Sequence, residues 1–343
     1  MRVRQGIRTA PARAWTLGAT AAAVLPLGNP GAASSLAAQD PAPALVDRAT
    51  LDLPDEPVEI GRRWTLRSEI LDEDREVVIA LPPGYDGSTG RYPVLYLLDG
   101  QADLPTAVGA TVLLEAADRI PAMIIVGVVH PDRGNDLTPS EGFAPWELSI
   151  PLSPDTARDP SAADDPRAGE FLRFLHEELA PFIDDRYRTT SFRILFGHSL
   201  GGFFTTYAFL TRPEAFNGYI ASSPGLLGSW EAFDQVAAER LNDPESLAGR
   251  FYVSTVGEDE PWGVWGASRM AWGLELFRTE GLRWWHHVVP GESHVTVAYR
   301  SVHDGLRDIF REYAVPPPIV LTGDLPRLEA LEGPFPLTEG ESR

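Results

Sequence analysis

One five-residue motif constrains the fold of this chain more than any other feature. Gly197-His198-Ser199-Leu200-Gly201 is the single match to the pattern G-x-S-x-G in the sequence. An apolar strand candidate, Phe192–Phe196, precedes it, and an apolar helix candidate, Leu200–Leu210, follows it. In that setting the motif forms a sharp strand-to-helix turn, where the flanking glycines allow close backbone approach and lift the serine above the sheet edge. The plainer alternative is a Gly-rich turn with a helix-capping serine.

Strand and helix patterns alternate from about residue 92 onward, which favours an α/β fold with a mostly parallel central sheet and helices on both faces. Tyr92–Leu98 and Ala122–Val129 are continuous apolar runs, typical of parallel strands buried on both faces. Arg167–Ile183 has the spacing of an amphipathic helix. Trp64–Leu71 and Val77–Leu81 flank a polar stretch and predict an N-terminal antiparallel hairpin.

The two ends of the chain differ from its middle. Residues 1–37 carry four Arg and no acid before a short apolar stretch and small residues, which predicts a cleaved signal peptide rather than an Ala-rich arm. Residues 38–57 are expected to be a linker, 58–314 the catalytic domain, and 315–343 a Pro-rich acidic tail. The long polar stretch 139–165 is a candidate lid. We expect export to a bacterial periplasm or the extracellular space, without membrane insertion of the mature chain.

Composition excludes several kinds of chemistry. The chain has no Cys, which excludes thiol nucleophiles, disulfides and cysteine-ligated metals. Every basic residue is Arg, so Schiff-base chemistry on lysine is excluded as well. A net charge of −20 disfavours nucleic acid as a partner. Serine, histidine and carboxylate chemistry remains, and it needs neither a metal nor another cofactor. The sequence leaves the oligomeric state open.

A serine nucleophile needs a base, which in this arrangement follows it in the chain. His294 lies in the Gly/Pro-marked loop after the last strand candidate, where a side chain can reach the carboxyl edge of the sheet. His286 and His287 lie inside that strand and point to opposite sides, and His303 lies in the last helix. We therefore predict that His294 is the base.

The acid is expected in the loop after the preceding strand, where three carboxylates stand in a row. We favour Glu260, then Asp259, then Glu258, as the group that orients the imidazole. The oxyanion of the reaction needs two N–H donors. Our candidates are the backbone N–H of Leu200, which follows the nucleophile, and that of Gln101, which follows the first long central strand.

Several motifs together resemble the esterase D-like branch of the α/β-hydrolase superfamily, over about residues 58–314. They are Tyr96–Gln101, Gly197–Gly202, Gly257–Glu260 and Gly291–His294, together with Leu81–Tyr85, Asp136–Pro139 and Ser223-Pro224. The resemblance implies an α/β-hydrolase fold, Ser199 as nucleophile, His294 as base and an acid on the Gly257 loop. It also implies backbone donors at Gln101 and Leu200.

The leading hypothesis is a serine carboxylic-ester hydrolase that acts on a small-molecule ester through an acyl-enzyme. An acyltransferase with the same triad and a non-catalytic binding protein on a hydrolase fold are the alternatives. A metal-dependent hydrolase built on the adjacent histidines lacks the i, i+4 spacing of helical ligands.

Pocket residues are less strongly indicated. His198, Trp262 and Arg133 are the candidates, although Arg133 is also explained by an ordinary ion pair at the surface. We expect three further tryptophans in the core: Trp272, Trp284 and Trp285.

Overall fold

The apolar runs of the sequence form the strands of one central sheet in the computed structural model, which describes residues 59–139, 165–226, 236–240, 243, 247–277 and 281–313. Within these residues the strands are β1 (Arg62–Ser68), β2 (Glu73–Ala80), β3 (Tyr92–Leu97), β4 (Ile124–Val129), β5 (Thr189–His198), β6 (Gly218–Ser222), β7 (Phe251–Gly257) and β8 (Arg283–Val289). Their order in the sheet is β1-β2-β4-β3-β5-β6-β7-β8. β1 and β2 pair antiparallel, β2 pairs antiparallel with β4, and all later pairs are parallel.

The expected fold class is confirmed: a mostly parallel sheet with an N-terminal antiparallel hairpin. The predicted signal peptide, linker and C-terminal tail lie outside the described residues, as does almost all of the candidate lid.

The hairpin turn lies earlier in the chain than the polar stretch predicts. β1 ends at Ser68 and β2 already begins at Glu73. The cause is distant in sequence: the Glu178 carboxylate accepts hydrogen bonds from Ser68 Oγ at 2.5 Å and from the N–H groups of Glu69 and Ile70 at 3.0 Å each. A carboxylate more than a hundred residues away thus satisfies the turn's backbone donors, which a local pattern cannot reveal.

Helices follow the strands and cover both faces of the sheet. They are α1 (Gly100–Ala116), α2 (Arg133–Leu137), α3 (Ala168–Arg173), α4 (Ala180–Arg186), α5 (Leu200–Thr211), α6 (Pro261–Phe277) and α7 (Val297–Ile309). A π-helical turn, Phe174–Leu179, joins α3 to α4, so the predicted amphipathic helix forms as one run with a wider turn in its middle.

Two apolar layers hold the helices to the sheet. On β3, Tyr96 faces a layer shared with α3, α5 and α6, whereas Leu95 and Leu97 face a layer shared with α1 and α7. All three side chains are fully buried. Both faces of β3 are covered, so the strand reads as a continuous apolar run rather than an alternating one. The carboxyl ends of β3, β5, β6, β7 and β8 then share one edge, where the loops of interest meet.

Candidate active site

Ser199 occupies a strained turn between β5 and α5. Its backbone has φ 57° and ψ −118°, a conformation that non-glycine residues rarely adopt. Its N–H donates to Ser222 O at 2.9 Å, which ties the turn to the end of β6. Packing requires glycine at the first motif position and directly after the motif: a Cβ at Gly197 would lie 2.2 Å from Gly201 O, and one at Gly202 would lie 2.5 Å from Ser222 O. The surrounding structure therefore forces this turn and places the serine at the sheet edge.

His294 connects Ser199 to a carboxylate. Its Nε2 lies 2.9 Å from Ser199 Oγ, and its Nδ1 lies 2.7 Å from Glu260 Oε1. With Glu260 ionised, Nδ1 carries the proton and donates it, which leaves Nε2 as the acceptor of the serine hydroxyl. Glu260 is 1% exposed, whereas Asp259 and Glu258 are exposed to solvent. The structure thus brings the first-ranked of the three candidate acids to His294 and leaves the other two at the surface.

The loops that carry the acid and the base are joined to each other. The N–H of Glu258 donates to Val289 O at 3.0 Å, and that of Asp259 donates to Glu292 O at 3.2 Å. A Cβ at Gly257 would lie only 2.2 Å from Glu292 O. The close approach needs glycine and fixes the separation of the two loops.

A second serine supports the acid. Ser223 Oγ donates to Glu260 Oε2 at 2.7 Å, so each carboxylate oxygen has one partner. Ser223 has φ 40° and is fully buried. Sequence reasoning noted Ser223-Pro224 only as a motif and missed this contact. The available signal was a polar pair, Ser222-Ser223, at the end of a buried strand.

His198 acts on the loop of the base. Its Nε2 donates to the backbone O of His294 at 2.7 Å, and the two rings lie 4.9 Å apart between centroids. Burial lowers the pKa of His198, so its ring is neutral with the proton on Nε2. This candidate pocket residue therefore also holds the backbone of His294.

The N–H groups of Gln101 and Leu200 lie in the first turns of α1 and α5, at the ends of the neighbouring strands β3 and β5. The first four N–H groups of a helix have no intrahelical acceptor, and a helix N-terminus favours negative charge. In α5 the first backbone donor to bond within the helix turn is Phe203, which donates to Ser199 O. The arrangement can therefore offer two donors to an oxyanion.

Arg133, the third pocket candidate, contacts the protein at three points. Its Nε donates to Asp99 Oδ1 at 2.6 Å, and its Nη2 donates to Asp99 Oδ2 and to His198 O at 3.0 Å each. Its side chain remains 35% exposed. Trp262 lies in the first turn of α6, directly after the acid loop, and is 42% exposed.

His286 and His287 have partners outside the Ser199–His294–Glu260 series, and the three tryptophans expected in the core differ in burial. His286 lies between Ser254 Oγ at 2.8 Å and Ser268 Oγ at 3.0 Å, and His287 pairs with an aspartate of α7. The expectation that Trp272 lies in the core is wrong, because it is 67% exposed on α6. Trp284 and Trp285 are partly buried against the two apolar layers.

The part of the chain that the structure describes holds no group of three or more metal-ligating side chains. In the same residues, no helix is long and apolar enough to cross a membrane.

Comparison with known proteins identifies the family of the chain. The model of the family described as "Putative esterase" matches residues 68–292, about two thirds of the chain. The chain belongs to this esterase family. The resemblance to esterases of the α/β-hydrolase superfamily is confirmed at the level of family and fold.

Curated relatives of this chain include two siderophore esterases. The siderophore triacetylfusarinine C esterase of Aspergillus fumigatus is 34% identical over 56% of this chain and 63% of its own length. The ferri-bacillibactin esterase BesA of Bacillus subtilis is 34% identical over 39% of this chain and 48% of its own length. The chain thus spans about half to two thirds of the curated relatives it matches. Among solved structures, an IroE-like serine hydrolase from Shewanella oneidensis has a TM-score of 0.65 and 28% identity, covering 75% of this chain and 82% of that one.

Proposed function

We propose that this esterase is a serine carboxylic-ester hydrolase that works through an acyl-enzyme. The observation that carries the proposal is the continuous hydrogen-bonded series from Ser199 Oγ through His294 to the buried Glu260 carboxylate. A serine hydroxyl becomes a competent nucleophile only when a base within hydrogen-bond reach accepts its proton. The series supplies that base in the correct tautomer, because Glu260 holds the proton on Nδ1.

In the first half-reaction, Ser199 Oγ attacks the ester carbonyl carbon while its proton passes to His294 Nε2. The carbonyl oxygen becomes an oxyanion, and the N–H groups of Gln101 and Leu200 stabilise it. The tetrahedral intermediate then collapses: the bond to the alkoxy oxygen breaks, and the leaving alcohol takes the proton from His294. The enzyme keeps the acyl group as an ester of Ser199.

In the second half-reaction, His294 Nε2 accepts a proton from water as the water oxygen attacks the acyl carbonyl. The second tetrahedral intermediate then collapses: the bond between the acyl carbon and Ser199 Oγ breaks, Oγ takes the proton from His294, and a carboxylic acid is released. Glu260 stabilises the charged imidazole in both halves and does not itself take the proton. Ser223, which donates to Glu260 Oε2, helps to keep that carboxylate oriented toward His294.

We further propose a small-molecule ester as substrate. Curated relatives that share about a third of the aligned residues carry the names of siderophore esterases. Siderophore esters are therefore the first natural substrates to test. We also propose that the protein is exported, as its N-terminal pattern indicates; amino-terminal sequencing of the protein from its host would test this.

The proposal is tested by hydrolysis of p-nitrophenyl esters from acetate to octanoate. The comparison uses wild type, Ser199→Ala and, as a matched control, Ser88→Ala in a distant turn. Loss of the nucleophile should lower kcat by about 10⁴- to 10⁶-fold, and the control should retain full activity. Equal activity of Ser199→Ala and wild type would overturn the proposal. The acyl-chain profile of the active enzyme then defines the substrates to pursue.

A further inference from the structure

The two proposed oxyanion donors belong to separate segments of the chain. Gln101 follows β3, and Leu200 follows β5. The strands are neighbours, and Leu98 N donates to Phe196 O at 3.0 Å just before each chain turns away into its helix. Beyond that bond the sheet ladder no longer fixes how far apart the donors lie. Catalysis nevertheless requires such groups to be held within about half an ångström.

We propose that Arg133 is a positioning residue that fixes the distance between the two segments that carry the Gln101 and Leu200 N–H groups. The inference rests on the function proposed above. Its guanidinium donates two parallel hydrogen bonds, of 2.6 and 3.0 Å, to the Asp99 carboxylate, and Asp99 lies two residues before Gln101. The same Nη2 donates to His198 O at 3.0 Å, and His198 lies two residues before Leu200. One side chain therefore joins both segments.

The contact with His198 also acts on the strained nucleophile. The peptide unit between His198 and Ser199 is held on both sides, because Arg133 binds its carbonyl and Ser222 O accepts its N–H at 2.9 Å. Rotation of this peptide plane changes φ of Ser199, which is 57°. Fixing the plane therefore stabilises the conformation that presents Ser199 Oγ to the substrate.

The ion pair is packed against the turn. A Cβ at Gly201 would lie 3.2 Å from Asp99 Oδ2 and 3.7 Å from Arg133 Nη2. Gly201, the second glycine of the motif, thus leaves room for the Asp99–Arg133 pair. A planar fork with several donors is needed here, and lysine, a point charge on a flexible stem, cannot reproduce it.

Helix α2, which carries Arg133, is itself anchored in the interior. Asp132 caps the helix by accepting from Asn135 N at 3.0 Å. One turn after Arg133, Asp136 is fully buried, and its carboxylate accepts hydrogen bonds from Arg75 Nη2 at 2.7 Å and from Arg167 Nε at 3.0 Å. A five-residue helix would not hold its place by itself, since helices this short are unstable alone. The buried charges fix it and thereby aim the guanidinium.

The test measures kcat and KM for p-nitrophenyl acetate, a neutral ester, with Arg133→Ala and Arg133→Lys. Arg212→Ala is the matched control, because Arg212 has a similar side-chain exposure, 32% against 35%, and also pairs with a carboxylate, Glu177 at 2.9 Å. Affinity for phenylboronic acid, whose tetrahedral adduct mimics the intermediate, is measured in parallel. Thermal melts identify any variant that does not fold.

Arg133→Ala should lower kcat by about 10²-fold with KM changed less than about twofold, and weaken boronate binding in proportion. Arg133→Lys should recover only part of the loss and remain folded, and Arg212→Ala should match wild type. Unchanged kcat in both Arg133 variants would overturn the inference. A raised KM with unchanged kcat would also overturn it, in favour of a substrate contact. If wild type shows no Ser199-dependent hydrolysis, the proposed function itself fails, and this inference fails with it.

Discussion

At the level of single residues, the surroundings of Glu260 define its role as the acid that orients His294. It is buried, accepts from His294 on one oxygen and from Ser223 on the other, and lies against Gly263, where a Cβ would approach Oε1 to 2.5 Å. Glu260→Gln keeps the shape but can present an N–H to Nδ1, which favours the wrong tautomer of the imidazole. We expect kcat to fall by up to about 10⁴-fold, measured with p-nitrophenyl acetate.

Asp259→Asn is the matched control for this prediction. Asp259 is the neighbouring residue and is exposed, so its variant should keep the activity of wild type within about twofold. If Asp259→Asn were the more damaging change, the assignment of Glu260 as the orienting acid would be wrong.

Asp103, in the first turn of α1, should make the free energy of unfolding depend on pH. Burial, together with the negative charge of Asp99, raises the pKa of Asp103 from 3.8 to about 7, although Arg133 lowers it in part. Its Oδ2 is buried and has no hydrogen-bond partner within the described chain. The folded state thus binds this proton more tightly than the unfolded state, so the contribution of Asp103 to stability declines as pH rises from about 4 to about 7.

Asp103→Asn removes that titration. At pH 8 the variant should be more stable than wild type by on the order of 2 kcal/mol, and at pH 5 the gain should be much smaller. Urea titrations at the two pH values measure the difference. An equal gain at both values would show that charge is not the cause.

At the level of elements, the sequence predicted the parts of the site that local patterns define. The strand-to-helix turn at Ser199 and the loops of Glu260 and His294 each follow a recognisable strand, and all three lie at one sheet edge. Contacts distant in sequence escaped prediction. The hydrogen bonds from the hairpin turn to Glu178 and from Arg133 to His198 O form only when the chain is folded. Their residues carry no local signal that separates them from ordinary surface charges.

The first residue of α1, Gly100, packs directly against Gly127 of β4. A Cβ at Gly100 would lie 2.4 Å from the Gly127 carbonyl carbon. Gly100→Ala should therefore displace the first turn of α1, which carries the Gln101 N–H, and lower both Tm and kcat, the latter by about 10²-fold. Gly109 lies in the same helix with open space around its Cβ position. Gly109→Ala is the control, and it should raise stability by about 0.5–1 kcal/mol.

The buried charges beneath α2 predict a second effect on stability. Burial alone would raise the pKa of Asp136, but hydrogen bonds and charges from His130 and Arg75 hold it below its usual value. The ionised group thus stabilises the fold at neutral pH, and this contribution is lost only as the pH falls below about 4. Asp136→Asn takes from Arg75, which is fully buried, its one fully buried carboxylate partner within the described residues and leaves it only the partly exposed Glu73.

At neutral pH, Asp136→Asn should lower the free energy of unfolding by about 3–5 kcal/mol, measured by urea denaturation. Asp74 is exposed, so the control Asp74→Asn should change the free energy of unfolding by less than about 0.5 kcal/mol. A small effect at Asp136 would mean that solvent reaches the cluster and replaces the lost bonds.

At the level of the whole molecule, a formal net charge of −20 means that like charges repel across the folded surface. Salt screens this repulsion, with a Debye length of about 10 Å at 0.1 M and about 3 Å at 1 M. Raising NaCl from 0.05 to 0.5 M should therefore increase Tm by roughly 2–4 °C, the shift that about 1 kcal/mol produces in a domain of this size. A falling Tm would show that surface ion pairs outweigh the net repulsion.

In the proposed mechanism, the acyl group of the substrate resides on Ser199 during turnover. We would quench the enzyme in acid while it hydrolyses p-nitrophenyl pivalate, whose bulky acyl group slows deacylation, and map the adduct by peptide mass spectrometry. We expect one acyl group per chain on the peptide that contains Ser199, and none in Ser199→Ala. An adduct on another residue, or pivalate turnover that persists in Ser199→Ala, would contradict it.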